Sequence, residues 1–385
     1  MNEKYISYKM LKARLDGHAY KNYPLDLVLG SYLGMMTWKP SLSLYFQYLF
    51  LNIKSFNFPK SQIIINTYST KRDDYTSFIK GYFPNAELQY VRVVNSRKEM
   101  LLGCFNSFIY FFKAFFYSLK LKSNMSERLK LIIALSLGFK VIDELEKKII
   151  KCDKYVAFNS SYLIESFLSY YFRLRNIETY SLQHGMYFNY CNETPYDVIN
   201  FENVCAEKLL VWGAYSLKEV KNIVPQSTEC LLFGYPRSQY PVNLTQTKVE
   251  KVLVLLPRDI YLEDVKILLE YLQKYAFSYI VRPHPTISEY VNDIITTQKR
   301  FYLDTNTVLT STLNKSRYAA VIGFNSTAVF EAALYNQNVF IFKSSRPEFI
   351  NPGFNDFDIN DNLPEVLRKK NSLVKNDFFV PAGQL

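Results

Sequence analysis

The sequence predicts an α/β protein built from two parallel sheets, each covered by helices on both faces. Apolar strand-like segments alternate with helix-like segments along most of its 385 residues. The alternation is interrupted at the polar residues 238–250, which contain Pro241 and which we interpret as an interdomain linker. The length suits two domains, and a hydrophobic content of 49% can fill a core in each. We therefore expect one domain over residues 1–237 and a second over residues 251–385.

The first half reads as strands interleaved with two clear helices. A long helix is predicted at residues 126–151, where apolar residues recur at helical spacing and Ser126 is a suitable N-cap. A second helix is predicted at residues 162–175. Strands are expected at residues 61–68, 86–94, 154–161 and 177–182, and the segments 208–216 and 230–237 continue the pattern.

The second half repeats the alternation in a shorter length of chain. Helices are predicted at residues 261–275 and 328–336. A near-continuous apolar strand, as expected of a sheet covered on both faces, falls at residues 251–257. Further strands are predicted at residues 277–283, 317–323 and 338–343. The tail after Pro347 is polar and irregular, and a return to the first domain is one course open to it.

The most hydrophobic run of the chain, residues 101–122, has two interpretations. Its uncharged part ends at Lys113, which is shorter than the roughly 20 residues needed to span a bilayer. We favour a buried helix or pair of helices. The alternative is an interfacial helix, aromatic on one side and carrying Lys113, Lys120 and Lys122 toward anionic lipid.

Charge and cysteine content narrow the partners and the compartment. A net charge of +11 suits phosphorylated ligands or an anionic membrane surface, and the absence of a nucleic-acid motif disfavours nucleic acid. Five cysteines without a C-x-x-C pair predict reduced thiols in a cytoplasm and argue against disulfides or zinc. The N-terminus lacks the apolar core of a signal peptide.

Four predicted strands end in unusual residues, and ligands of open parallel sheets bind beyond the carboxyl ends of the strands. The turn "GFNST" places Gly323 between a strand and a helix and then presents Asn325, Ser326 and Thr327. Such a turn exposes a helix N-terminus, which binds phosphate through backbone N–H groups and the helix dipole. Ordinary N-capping by the same side chains is the alternative.

The other strand ends are "QHG", "GYPR" and "RPHP". His184 precedes Gly185, which permits a tight turn, and a neutral imidazole there can accept a proton from a hydroxyl. His284 lies between two prolines that stiffen its loop, and the adjacent Arg282 can pair with a phosphate. Considered separately, His184 has the alternative of a packed core histidine, and His284 that of a turn histidine without a function. The conjunction of four such strand-end signals in two alternating halves favours a site between the halves.

The order "QHG … GYPR … RPHP … NSTxxxE" resembles the GT-B transferases of bacterial surface polysaccharides, and most of all the CDP-glycerol glycerophosphotransferase-like family. The last two motifs are also similar to those of the sialyl-, polysialyl- and Kdo-transferases, which use CMP-sugars. The resemblance covers about residues 177–345. "GYPR" lacks the family's following Asn-Asp, and "FNST" replaces its "DYSS". The donor base therefore stays open among CDP-, CMP- and UDP-linked donors, with UDP ranked last.

The resemblance implies a GT-B fold with two Rossmann-like domains and an inverting, metal-independent glycosyltransferase without a cofactor. His184 would be the catalytic base, His284 would contact the donor phosphate, and Ser326 with Thr327 would hold the nucleotide phosphate. Glu331 falls where the family has an aspartate. Its position one turn into the helix itself suggests a contact with a ribose hydroxyl, with a capping or solvated carboxylate as the alternative. Arg237 matches the "GYPR" arginine, with a phosphate or structural role. The acceptor would be a saccharide or lipid-linked, and the protein cytoplasmic, peripheral on the inner membrane face.

Four other functions stay open at this point. One is CDP-polyol phosphotransfer of the teichoic-acid type. A second is a GT-A enzyme whose D-x-D metal site would be Asp356–Asp358. A third is a non-catalytic nucleotide-binding accessory protein of polysaccharide export, and a fourth is pyruvyl transfer on a similar fold.

Overall fold

Two six-stranded, fully parallel sheets form the framework of the chain, which confirms the predicted α/β class. The computed structural model describes residues 3–50, 52–53, 63–66, 79–83, 87–89, 93–94, 97–190, 194–236, 246–306, 308–344, 350–370 and 377–383. Arg237 and most of the predicted linker lie outside the described residues.

The first half contains the elements of the first sheet and the helices that cover it. In chain order they are α1 (Glu3–Ala13), β1 (Ala19–Tyr20), β2 (Tyr23–Pro24), α2 (Leu25–Val28), α3 (Gly30–Trp38), α4 (Leu42–Phe50), β3 (Asn52–Ile53), β4 (Ile63–Asn66), β5 (Glu87–Gln89), β6 (Val93–Val94), α5 (Arg97–Ser118), α6 (Met125–Glu146), β7 (Lys154–Ala157), α7 (Leu163–Arg173), β8 (Glu178–Leu182), α8 (Val198–Glu202), β9 (Lys208–Val211), α9 (Ala214–Val220) and β10 (Glu229–Leu232).

The second half contains β11 (Thr247–Leu255), α10 (Leu262–Gln273), β12 (Tyr279–Arg282), α11 (Ser288–Thr296), β13 (Phe301–Leu303), α12 (Leu309–Lys315), β14 (Ser316–Gly323), α13 (Thr327–Leu334), β15 (Val339–Phe342), β16 (Asn355–Phe357) and α14 (Leu363–Val366). Short 3₁₀ turns at Asp259–Tyr261 and Pro285–Ile287 follow β11 and β12. Because β11 begins at Thr247, the last four residues of the predicted linker belong to a strand.

Strand order identifies where each sheet should bind a ligand. The second sheet runs β13-β12-β11-β14-β15-β16, which is the Rossmann order, with its reversal between β11 and β14. The first sheet runs β10-β9-β8-β7-β4-β5 and reverses between β4 and β7. Each reversal opens a crevice beyond the carboxyl ends of the two strands that flank it. The loops after β7, β11 and β14 flank these reversals, whereas the loop after β4 lies outside the described residues. The loop after β8 lies one strand away from the first reversal, because β8 is the neighbour of β7.

Several local predictions differ from the structure. The long helix α6 begins at Met125 and its N-cap is Asn124, not Ser126, because Asn124 and Glu127 form a reciprocal capping box. The helix ends at Glu146, five residues before its predicted end. The expected strand at residues 86–94 is divided, since β6 leaves the large sheet and pairs antiparallel with β3.

The hydrophobic run forms the single long helix α5, but it is not buried all round. Ala114 and Ser118 face the protein, whereas Phe108, Phe112 and Phe116 are more than half exposed. The favoured interpretation as a buried helix is therefore wrong for one face. Lys113 also differs from the interfacial interpretation, because it donates to Tyr20 and lies 3.5 Å from Asp143. No helix in the described part of the chain has the length and apolar character of a membrane span.

Residues from the two halves pack into a common hydrophobic core. One hydrophobic cluster includes Val156 and Leu210 from the first sheet together with Leu253, Val321 and Phe330 from the second half. The tail also returns to the first half, where Pro381 pairs with Tyr235 as a parallel bridge. Trp212 accepts a backbone hydrogen bond from Val380, and Gly383 donates one to Phe233. Residues 380–383 thus join the edge of the first sheet, and the domain boundaries expected at residues 237 and 251 stay a prediction.

Candidate functional site

Loops from both halves meet at the N-terminus of α13, at the reversal point of the second sheet. The backbone N–H of Met186, in the loop after β8, donates a hydrogen bond of 3.2 Å to Oγ1 of Thr327. A Cβ placed on Gly185 would lie 3.8 Å from the same oxygen. The "QHG" loop of the first half therefore rests directly against the predicted phosphate-binding turn of the second.

The N-terminus of α13 is not capped by a side chain. Ser326 is the N-cap residue and its hydroxyl makes no capping hydrogen bond. Oγ1 of Thr327 accepts from Met186, and the amide of Asn325 donates to two tyrosines. The alternative that these residues serve as N-caps therefore loses its support, and the helix N-terminus keeps its capacity for an anion.

Gly323 has a packing role at the start of this turn. A Cβ there would lie 2.4 Å from Cγ1 of Val329, so any larger residue would force Val329 or the turn to move. Glycine at the end of β14 thus allows the first turn of α13 to approach the sheet, as the last glycine of a dinucleotide-binding turn does.

Asn325 joins the two halves through a pair of tyrosines. Its Nδ2 donates to the hydroxyl of Tyr190, in the first half, at 2.5 Å and to that of Tyr261, in the second half, at 2.8 Å. Burial raises the pKa of Tyr190 well above its ordinary value, and the neighbouring Tyr261 adds to that shift. Tyr190 therefore stays neutral, and the two hydroxyls occupy the amide nitrogen of Asn325. The predicted contact of Asn325 with the nucleotide donor would have to use its carbonyl oxygen.

His184 follows β8 and is half-buried beside the aromatic ring of Phe158, whose centroid is 5.7 Å away. Burial lowers the pKa of His184 below its ordinary value, and the negative charge of Asp197 opposes that shift. The ring is therefore neutral at physiological pH. A neutral imidazole can accept a proton, which is the property that the predicted catalytic base requires.

Gln183 fixes the shape of the "QHG" loop and was not singled out from the sequence. Its side chain is 1% exposed, and Nε2 donates to the carbonyl of Gly185 and to Oγ of Ser216, both at 2.9 Å. Its Oε1 accepts from the backbone N–H of Trp212 at 2.9 Å. A buried glutamine directly before a strand-end histidine was the available signal, since buried amides are bonded to specific partners.

His284 sits on a short turn whose hydrogen bonds define its tautomer. Nδ1 accepts from the backbone N–H of Thr286 at 3.3 Å and lies 2.9 Å from the Thr286 hydroxyl. That hydroxyl in turn accepts from the backbone N–H of Asp259. With Nδ1 acting as the acceptor, the neutral ring carries its proton on Nε2, which is the atom that can donate to a phosphate.

Arg282 is committed to a structural ion pair. Its Nη1 lies 2.6 Å from Oδ2 of Asp304, whose side chain is 2% exposed, and 2.9 Å from the carbonyl of Asn306. Burial alone would raise the pKa of Asp304, but hydrogen bonds from Thr312 and Arg282 outweigh it and the pKa is lowered. A phosphate contact by Arg282 would therefore depend on its other nitrogens.

Glu331 lies one turn into α13 and is 6% exposed. Its carboxylate accepts a hydrogen bond from the hydroxyl of Tyr235, which belongs to the "GYPR" segment and is 1% exposed. This burial favours a structural role that ties the two halves together over the predicted ribose contact.

The loop after β11 adds charged residues that the sequence analysis passed over. Arg258 lies 3.7 Å from Asp197, which is the carboxylate that acts on His184. Because Asp259 contacts Thr286, this loop links the surroundings of both histidines. The strand-end rule that found His184 would have found Arg258 too. That the imidazoles of His184 and His284 contact the same ligand stays a prediction.

The other acidic motif, "DFD", lies at the edge of the second sheet. Asp356 belongs to β16 and lies 3.5 Å from Lys343. Its place in a second Rossmann-like sheet does not match the GT-A architecture. Within the described ranges, no three His, Cys, Asp or Glu side chains are grouped as metal ligands would be.

Two Rossmann-like halves whose strand-end loops meet define the GT-B class of fold. The chain is similar to UDP-GlcNAc 2-epimerase from Methanocaldococcus jannaschii, at 14% identity and a TM-score of 0.46 over 83% of this chain and 96% of that one. It is similar to the wall teichoic acid polymerase TagF, at 14% identity and a TM-score of 0.42 over 80% of each chain. A UDP-N-acetylglucosamine 2-epimerase from Rickettsia bellii gives 12% identity and a TM-score of 0.42 over 72% and 78%. This likeness concerns chain architecture and not chemistry. No family model and no curated protein matches the sequence.

Proposed function

We propose that this protein is an inverting, metal-independent glycosyltransferase that uses a CMP- or CDP-linked donor in the synthesis of a bacterial surface polysaccharide of the capsule, O-antigen or lipopolysaccharide type. The observation that carries the proposal is the contact between Met186 and Thr327. It holds the loop of a neutral, half-buried histidine against an uncapped helix N-terminus at the reversal point of a Rossmann-ordered sheet. Under this proposal, the loop that carries the proton acceptor rests against the anion-binding group, as transfer from a nucleotide requires.

In the proposed reaction, His184 takes the proton of an acceptor hydroxyl as its oxygen attacks the anomeric carbon of the donor. The carbon–oxygen bond to the nucleotide phosphate breaks on the opposite face, and the electron pair leaves with the phosphate. Backbone N–H groups of α13, the Ser326 hydroxyl and Nε2 of His284 stabilise that developing charge. Arg258 lies at the same edge, its side chain is 53% exposed, and its surface ion pair with Asp197 is weak. It can therefore add a positive charge to the phosphate site.

The proposal is tested by incubating the protein with a panel of donors that includes CMP-sugars, CDP-glycerol and UDP-GlcNAc, with saccharide acceptors. We expect release of CMP or CDP that depends on the acceptor, with inversion at the anomeric carbon and no loss of rate in EDTA. A His184→Asn variant should lose roughly 100-fold or more of the rate while still binding nucleotide. A His284→Ala variant should weaken donor binding.

Each contrary result of this experiment points to a different function. Binding of nucleotide without turnover by any donor would indicate a binding protein of the export machinery. Release of CMP from CDP-glycerol with transfer of glycerol phosphate would indicate the polyol phosphotransferase. Full activity of His184→Asn would remove the assigned base.

A further inference from the structure

The exposed face of α5 has no role in the proposed reaction. Six large apolar side chains on this helix are between 38% and 63% exposed: Phe108, Ile109, Phe112, Phe115, Phe116 and Leu119. At about 100° per residue they fall within an arc of roughly 120°. No charged residue interrupts the arc, whereas Ala114 and Ser118 on the opposite side are buried. We call these six residues the α5 stripe.

Further exposed apolar residues lie on the two helices that pack against α5. Met125 is 84% exposed and Leu129 49% exposed, one turn apart at the start of α6 and just after the α5–α6 turn. Leu42 and Phe46 are 75% and 55% exposed, also one turn apart, on α4. Monomeric proteins seldom leave so many large apolar side chains together in water.

The charges around the stripe are positive. Lys120 and Lys122 occupy the α5–α6 turn, and both are exposed. No acidic residue occurs between residues 101 and 124. The nearest carboxylate after the turn, Glu127, is 14% exposed and lies 3.5 Å from Arg14, which neutralises it. An aromatic stripe therefore faces solvent with lysines at one end, where the nearest described carboxylate is already paired.

We propose that the α5 stripe docks this protein on the surface of an anionic phospholipid bilayer. The stripe would lie in the interfacial plane with its phenylalanines at the headgroup and acyl boundary, and Lys120 and Lys122 would contact lipid phosphates. A second copy of the chain fits this face less well, because the stripe offers no carboxylate to meet the lysines of its partner. Lys113 takes no part, because it is bonded to Tyr20 and Asp143 on the side of the helix that faces the protein.

The test is co-sedimentation of the full chain with vesicles, without donor or acceptor, so that its result does not depend on the proposed reaction. Vesicles of phosphatidylcholine alone are compared with vesicles containing 30% phosphatidylglycerol. We expect binding to the anionic vesicles that weakens with added salt. A Phe112→Glu/Phe116→Glu variant should bind at least about tenfold more weakly, since each aromatic side chain that enters the interface contributes a factor of that order.

Two further variants separate the apolar and ionic contributions to vesicle binding. Lys120→Glu/Lys122→Glu should lower the preference for anionic vesicles by about fivefold for each lysine. Ile149→Glu is the matched control, because Ile149 is 88% exposed but lies beyond the other end of α6, and its binding should equal that of the unaltered protein. Melting temperatures establish that the variants fold. If the Phe112→Glu/Phe116→Glu variant does not fold, a Phe112→Ser/Phe116→Ser variant takes its place.

Three results would overturn the proposal. One is an unaltered protein that does not bind anionic vesicles. Another is a Phe112→Glu/Phe116→Glu variant that binds as well as the Ile149→Glu control. The third is an unaltered protein that light scattering identifies as a dimer in the absence of lipid, and that becomes a monomer in the Phe112→Glu/Phe116→Glu variant, which would assign the stripe to a second copy.

Discussion

The backbone N–H of Met186 and the hydroxyl of Thr327 are joined by a hydrogen bond that crosses from the first half of the molecule to the second. It places the loop that carries His184 beside the first turn of α13. Because Met186 donates through its backbone N–H, substitution of its side chain does not remove this hydrogen bond. The contact depends instead on the course of the "QHG" loop and on the residue at the start of α13, and both can be tested by mutation.

The protonation of His184 should set the acid limb of the activity. Burial holds its pKa below the ordinary value of about 6.5 and the charge of Asp197 opposes that shift. The rate should therefore fall only at a pH below that value, as the ring gains a proton. Asp197→Asn removes the opposing charge, so the acid limb should move to still lower pH. The profile of kcat/KM against pH measures both effects, and a limb that moves upward would contradict the assignment.

The same shift carries a stability prediction. The unfolded chain binds a proton at His184 at a pH where the folded chain does not, so its contribution to stability rises with pH across that window and is lost as pH falls. His184→Asn should flatten this dependence in urea unfolding between about pH 5 and 7. If the pH dependence of stability were unchanged in this variant, groups other than His184 would determine it.

Ser326 should matter for the donor and not for folding. Its hydroxyl makes no capping bond, so Ser326→Ala should change the free energy of unfolding by less than about 0.5 kcal/mol. Donor binding should nevertheless weaken, by roughly tenfold for one hydrogen bond to a charged group. Asn124→Ala is the matched control, because Asn124 does cap α6 and its loss should cost about 1 kcal/mol without changing donor affinity. Calorimetric titration with CMP and CDP, together with urea unfolding, separates the two.

Gln183 should act as a positioning residue. Replacement by leucine leaves the carbonyl of Gly185 and the N–H of Trp212 without this partner, so we expect a loss of about 2 kcal/mol in stability. The turnover should also fall, because the loop that carries His184 loses its support. Ser216→Ala removes one bond of the same set and should have a smaller effect on both. A purely structural role would lower stability while kcat of the folded fraction stayed constant.

Glu331 is tested against its two roles by a pair of variants. If the carboxylate serves mainly to bind Tyr235, then Tyr235→Phe and Glu331→Gln should both destabilise the fold by about 1–3 kcal/mol and leave the donor KM unchanged. If it contacts ribose as its position in the sequence suggested, Glu331→Gln should raise the donor KM and Tyr235→Phe should not. Steady-state kinetics on the two proteins decides.

The returning tail should be sensitive to a single methyl group. A Cβ on Gly213 would lie 2.3 Å from the carbonyl oxygen of Phe378, so Gly213→Ala should displace residues 377–383. We expect a loss of roughly 1–3 kcal/mol and new protease cleavage in the tail. Gly185→Ala is the control, because its Cβ meets nothing closer than 3.8 Å and stability should not change. Equal protease resistance in both variants would contradict this account of the tail.

The sequence determined the class of fold because periodicity reports burial directly. The alternating strands and helices formed two parallel sheets, with the near-continuous apolar strand β11 at the centre of the second. Residues such as His184 and Ser326 fell after strand ends. Short elements were less accessible, since two or three residues carry too little pattern to identify β3, β13 or β16. The single strand predicted at residues 86–94 did not distinguish β5 from β6. The N-cap of α6 was misassigned by two residues because Asn124 and Ser126 are both suitable N-caps, and only the bond to Glu127 distinguishes them.

By itself, the sequence therefore determined two Rossmann-like units, their order, and the strand-end residues from which a site could be built. Only the tertiary structure decided which partners those residues take, because hydrogen bonds between residues far apart in the chain leave no local signal. Arg282 proved to be paired with Asp304, Glu331 with Tyr235, and Met186 with Thr327. The exposed side of α5 was decided in the same way, since an apolar helix reads alike in sequence whether its second face meets protein or solvent.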